Sequence, residues 1–175
     1  EILLQRMIDQ YEASSSHIIP DTVSFGAVIH AYSKSHSKQA PIKAEELLNR
    51  MQNLHESGYK SITLDRTAYT TVIHAWAKSK QGEVGAKRAD LILHRMQELY
   101  DEKGYEDMKP SVITYNAVID AWANTADTVR DASDRAESIL TQMEHEHNSN
   151  GAGPDAISYN SVMNAWAKSK QGEYA

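Results

Sequence analysis

Four stretches of this chain align with one another without a gap, and a chain built from such units folds by stacking them. The first runs Ser24-Phe25-Gly26-Ala27-Val28-Ile29-His30-Ala31-Tyr32-Ser33-Lys34. The others start at Ala68, Thr114 and Ser158 and close on Lys78, Asn124 and Lys168. Their leading aromatics, Phe25, Tyr69, Tyr115 and Tyr159, are spaced by 44, 46 and 44 residues. A second stretch recurs between them at residues 1–7, 44–51, 89–96 and 136–143, ending each time on Met. Eight of the thirteen aromatic side chains occupy just two repeat positions, so the period is not a chance of composition.

Each unit reads as two helices. In the third stretch Tyr115, Val118, Ile119 and Trp122 stand at i, i+3, i+4 and i+7, one apolar face of a helix. The second stretch, as in Ala89-Asp90-Leu91-Ile92-Leu93-His94-Arg95-Met96, carries apolar residues at helical spacing and a charged outer side. Pro20, Pro110 and Pro154 precede three first helices, and Gly58, Gly104 and Gly151 follow second helices. Polar stretches at residues 79–82 and 124–127 join the two helices of a hairpin. A lone hairpin cannot bury its apolar face, so the units must stack, and alanines such as Ala117 and Ala121 let adjacent helices approach closely. The expected fold is all-α, an α-solenoid of helix-turn-helix repeats in one array over residues 1–175. Its expected divisions are a second helix of a truncated repeat at 1–21, repeats at 22–65, 66–111 and 112–155, and a first helix at 156–175. The chain is therefore expected to begin partway through one unit and stop within another, with any targeting segment upstream.

At 100° per residue a polar line lies opposite the apolar arc of each first helix. It is Asn116, Asp120 and Asn124 in the third unit; the equivalents are Gly26, His30 and Lys34, then Thr70, His74 and Lys78, then Asn160, Asn164 and Lys168. Stacking should set these lines side by side on one surface, where three lysines meet one carboxylate. The net charge of −6 argues against a nucleic-acid partner for the chain as a whole, but the excess acid falls mostly on second helices and loops.

Composition removes several function classes. There is no cysteine, which excludes a disulfide scaffold, a Cys nucleophile and any Cys-ligated metal in this segment. No apolar run is long enough to cross a membrane. No Gly-rich phosphate loop, nucleophile elbow or His-Glu-x-x-His occurs, so no enzyme activity and no cofactor are expected. His30 and His74 share one repeat position and read as polar-line residues rather than ligands. His145 and His147 point about 200° apart on a helix, poor geometry for one metal, and the run after them reads as a fraying helix end.

The text of the units selects among helical-repeat families. Val112-Ile113-Thr114-Tyr115-Asn116-Ala117-Val118-Ile119-Asp120-Ala121-Trp122 resembles the opening of a pentatricopeptide repeat, as does Ala156-Ile157-Ser158-Tyr159-Asn160-Ser161-Val162-Met163. The Ala-to-Met second helix and the turns at residues 109–111 and 153–155 resemble that family too. The units depart from it in length, being longer by about ten residues than the usual ~35, with the excess between the two helices and at the end of the second.

The resemblance implies a right-handed superhelix that binds single-stranded RNA sequence-selectively, one base per repeat, in organellar RNA processing, stability or translation. It implies base recognition by Gly26 with Asp65, Thr70 with Ser111 and Asn116 with Asp155, the last preferring uracil, and by Asn160, whose partner lies beyond the chain. Val23, Thr67, Ile113 and Ile157 would sandwich the bases, and Lys34, Lys78 and Lys168 would approach the RNA backbone, with Asn124 departing from that pattern. It implies a mitochondrial or plastid location. The competing reading is a protein–protein scaffold, as a structural subunit of a ribonucleoprotein complex, which the acidic balance and Gly26 favour. Neither reading includes a membrane or a small-molecule substrate.

Overall fold

A computed structural model describes residues 1–13, 19–150 and 153–169, apart from the side chains of Glu12 and of residues 146–150. Among the described residues there are eight α-helices: α1 (Ile2–Glu12), α2 (Thr22–Lys34), α3 (Ala40–Glu56), α4 (Arg66–Ala77), α5 (Glu83–Asp101), α6 (Val112–Ala123), α7 (Ala132–Asn150) and α8 (Ala156–Lys168). A single 3-10 turn, Glu106–Met108, lies between α5 and α6. The even-numbered helices are the first helices of the units.

Each first helix is started by the same device. A short polar residue in extended conformation (Asp21, Asp65, Ser111 or Asp155) accepts the backbone N–H three residues on, at 2.8, 3.0, 3.3 and 2.9 Å. Such a cap satisfies one of the orphan amides of the first turn and is worth about 1 kcal/mol. Second helices α3 and α5 carry no side-chain cap. Their ends are set instead by glycine, Gly58 and Gly104 lying just past α3 and α5 at φ 90° and 71°, the left-handed conformation that stops a helix cheaply. The run after His145, expected to fray, continues α7 to Asn150, so the helix is longer than its polar text suggested.

First helices pack side by side along the array, α2 on α4, α4 on α6 and α6 on α8. α2, α4 and α6 each also pack against their own second helix and the preceding one, so α6 touches α4, α5, α7 and α8. The joint inside a hairpin is tight. A Cβ on Gly85 would stand 2.9 Å from the Trp76 carbonyl oxygen, and the equivalent positions hold Ala40 and Ala132, both buried. One apolar cluster runs through every unit, from Leu4 and Ile8 to Val162 and Ala165.

Two polar bonds recur where a first helix lies on the preceding second helix. The Tyr69 hydroxyl donates to Gln52 Oε1 at 2.7 Å, and Gln97 Nε2 donates to the Tyr115 hydroxyl at 3.0 Å. Tyr159 donates to Glu144 at 2.8 Å from the same place. Burial pushes the Tyr69 phenol up to about 12, so it stays a neutral donor. In the first unit both partners are apolar instead: Phe25 and Ile8 hold these positions and are fully buried.

The second bond joins the other repeated aromatic to a carboxylate. Trp76 Nε1 donates to Glu45 at 2.8 Å and Trp166 Nε1 to Glu137 at 3.0 Å, while the Tyr32 hydroxyl donates to Glu1. The third unit differs. Asp90 stands where the others have Glu, and its carboxylate, one methylene short, does not reach Trp122. The indole is near enough to favour the charged form of Asp90, whose pKa burial raises, yet Trp122 Nε1 is buried without a hydrogen-bond partner. An unsatisfied buried donor costs about 1–3 kcal/mol. Asp90→Glu should therefore raise the stability of the chain by about 1 kcal/mol in urea denaturation; an unchanged or lower midpoint would rule out reach as the cause.

Candidate nucleic-acid interface

The residues expected to read bases lie in the seams between successive first helices, where the polar line and the N-caps converge. Asn116 was expected on an open polar side of its helix. It is instead 8% exposed, because α6 has neighbours on four sides and residues 114–119 are all buried. In the α6–α8 seam Asn116 Nδ2 donates to Asp155 Oδ1 at 3.1 Å, and the Ser158 hydroxyl donates to Asn116 Oδ1 at 2.6 Å. Asp155 is exposed and serves as the N-cap of α8 at the same time. The Ser158 amide and then the Asn116 amide hold its carboxyl below the usual carboxylate range.

The α4–α6 seam is built alike. Thr70, half-buried, shares a hydrogen bond with Thr114 at 2.9 Å, and Ser111 caps α6 while its own N–H donates to the Thr114 hydroxyl at 3.2 Å. In the α2–α4 seam Gly26 faces open space, with nothing within 4 Å of where a Cβ would stand, and Asp65 caps α4. Asn160 is exposed on α8. Thus the structure brings Asn116 to Asp155 by a direct bond, sets Thr70 near Ser111 through Thr114, and leaves Gly26 without a side chain to offer Asp65.

Beside each seam stands an exposed residue on the first turn of the helix. Val23, Ile113 and Ile157 are 75%, 64% and 58% exposed, and Thr67 occupies the equivalent place, also exposed. Burying such a side chain against a planar partner would recover the apolar contact that water denies it.

The polar line ends in exposed cations: Lys34, Lys78 and Lys168, with exposed Asn124 in the third unit. Lys168 Nζ reaches the Ala123 carbonyl oxygen at 3.4 Å. Lys78 lies in the wall of two clefts at the hairpin turns. One, about 280 Å³, is bounded by Tyr32, His36, Ala75 and Lys80; the other, about 520 Å³, by Trp76, Lys80, Gln81 and Asn124. Of the two histidines sharing a repeat position, His30 is exposed and His74 half-buried. Burial, then the Lys78 charge, lowers the His74 pKa from the ordinary 6.5. Asp120 is exposed and accepts from Ser161 across the seam. Among the described residues no group of three or more His, Asp or Glu could hold a metal, and no helix is long and apolar enough to cross a membrane.

The family model of the pentatricopeptide repeat domain matches residues 52–125 and again 98–169, together more than half of the chain. This chain belongs to the pentatricopeptide-repeat family. Curated proteins and solved structures yield no match. Pentatricopeptide repeats are helical hairpins that generally bind RNA and are in general not enzymes. What reading the pentatricopeptide units as isolated helices missed is the role of Thr114 and Ser158, both fully buried. Their signal was present: a hydroxyl residue three positions after a Ser or Asp, the spacing of a capping box.

Two outcomes follow for the seam. Gly26→Ala should raise stability by about 0.5–1 kcal/mol in thermal unfolding, since helical glycine is disfavoured and the added methyl meets nothing; destabilisation would mean the seam is fuller than described. His74 is favoured neutral in the folded chain, so its contribution is intact above about pH 6.5 and lost as pH falls through its lowered folded pKa. Stability should decline less between pH 7 and 5 in His74→Gln than in the parent, and parallel curves would refute this.

Proposed function

We propose that this chain binds single-stranded RNA sequence-selectively along the seams of its first helices, one base per repeat, in organellar RNA processing, stability or translation. The repeats are taken to run from the first residue of one first helix to the N-cap of the next, at 22–65, 66–111 and 112–155. Family membership supports the RNA partner in general. The observation that carries the finer reading is the bonded pair Asn116–Asp155 at the rim of a seam, flanked by exposed Ile113 and Ile157. A planar base lodged between two such aliphatic side chains meets an amide and a carboxylate at its edge, groups of fixed donor and acceptor character.

On this reading the pairs Gly26 with Asp65, Thr70 with Ser111 and Asn116 with Asp155, together with Asn160, recognise bases. Val23, Thr67, Ile113 and Ile157 sandwich them, and Lys34, Lys78 and Lys168 approach phosphates. Selectivity is uneven, strongest at Asn116 and absent at Gly26. The proposed setting is a mitochondrion or plastid.

A scaffold function is the second reading. It draws on the charge of −6 and on Ile42, Val84 and Leu91, apolar side chains exposed on second helices away from the seams. A salt titration separates the two, because phosphate contacts release counterions and the binding constant falls as salt rises. Binding of a randomised single-stranded RNA pool should weaken steeply with salt, and salt-independent or absent binding would favour the scaffold. Asn116→Ala should weaken a selected RNA by about tenfold and a mismatched one less, roughly the loss of one charge-assisted hydrogen bond. Equal losses in filter binding would remove the base-reading role.

A further inference from the structure

In two seams the side chain of the proposed reader bonds to the third residue of the next first helix, and across the three seams the two residue types change together. Thr70 bonds to Thr114 and Asn116 bonds to Ser158, while in the first seam the equivalent residues are Gly26 and Ala68. Where the reader has no side chain its neighbour has no hydroxyl; where it has a polar one, its neighbour is a buried hydroxyl with zero exposure. Helix capping does not demand this, because Asp65 caps α4 through the backbone N–H of Ala68 without any hydroxyl there.

The hydrogen inventory of Ser158 explains the pairing. A hydroxyl has one proton to give. Ser158 Oγ accepts the Asp155 N–H at 3.1 Å, and its own proton has two acceptors in reach, Asn116 Oδ1 at 2.6 Å and Asp155 Oδ1 at 3.0 Å. Asp155 Oδ1 already receives the Ser158 N–H and an Asn116 N–H, so the proton goes to the shorter, less supplied bond. The Asn116 amide is then held from both ends, its carbonyl on the Ser158 hydroxyl and its nitrogen on the Asp155 carboxylate. A flip would set Oδ1 against a carboxylate oxygen, losing that bond and placing two acceptors in contact.

From this we infer that Ser158 is a positioning residue for base selection: it holds the Asn116 carbonyl inside the seam and so turns the second amide N–H toward the groove. This rests on the proposed reading of Asn116 and Asp155. A donor at that point suits a base with an exocyclic carbonyl, uracil or guanine, over the exocyclic amino group of cytosine or adenine. The choice at one repeat is thereby written partly in the next, by a side chain that touches no base. Thr114 stands in the same relation to Thr70.

The probes are homopolymeric uridine and cytidine RNAs of equal length, bound to the parent chain, Ser158→Ala and Ser158→Thr. The parent should prefer uridine. Ser158→Ala should narrow the uridine-to-cytidine ratio about fivefold, the worth of one hydrogen bond, while Ser158→Thr keeps it. Alanine is already present in the equivalent place at position 68, so the variant keeps a residue the fold uses. A ratio unchanged in Ser158→Ala overturns the inference. A parent chain that does not discriminate at all instead overturns the reading of Asn116 with Asp155. In that case side-chain amide exchange in the RNA-free protein decides the positioning: exchange at Asn116 faster in Ser158→Ala upholds it, and equal rates overturn it.

Discussion

The array depends on one requirement: the two aromatic side chains that each first helix lays on the preceding second helix must have their polar tips satisfied. A buried phenol or indole contributes a large apolar area but needs a partner for its O–H or N–H. Gln52, Gln97 and Glu144 serve the tyrosines, and Glu45 and Glu137 serve two tryptophans. Because those bonds are directional, they fix how far each hairpin slides and turns on the one before. Nearest-neighbour contacts of this kind are what hold an array without a central core. The Phe25 and Ile8 positions meet the same requirement by dropping both polar groups together. The Trp122 joint meets it only in part, since the indole N–H is buried without a partner while Gln97 still serves Tyr115 across the same α5–α6 interface.

Much of this was legible beforehand because it is periodic. Aromatics at spacings of 44 to 46 residues reveal the units, and apolar spacing within them reveals both helices. The surroundings of the seam were not legible. A helical wheel divides a helix into an apolar and a polar side, but α6 has neighbours on four sides, so Asn116 is polar and buried at once. The shortfall at Asp90 was equally hidden, since a carboxylate one methylene short looks conservative in a sequence and matters only once distances are known. The polar text after His145 suggested an ending where α7 continues to Asn150.

Charge shows the same gap between the whole and the part. The chain carries −6 overall, yet the polar edge of the first helices presents Lys34, Lys78 and Lys168, all exposed, with Lys78 in the wall of both hairpin-turn clefts. Acidic side chains on second helices are committed elsewhere, Glu45 to an indole and to Arg88, and Glu56 to Lys103. A net charge averages over surfaces that face opposite ways, and only the near surface acts on a polyanion within about 10 Å.

The N-caps carry a consequence for how such a protein can diversify. Asp65, Ser111 and Asp155 each begin a helix, so their identities are drawn from the few residues that can accept an amide hydrogen in extended conformation. Any vocabulary written at those places is confined to Asp, Asn, Ser and Thr before recognition imposes a preference of its own. The opposing place, held by Gly26, Thr70 and Asn116, lies inside a helix without that duty and answers instead to the third residue of the next first helix. On the proposed reading the two members of each pair are therefore unequally constrained: one must remain a synonym for a helix start, and the other carries no such demand.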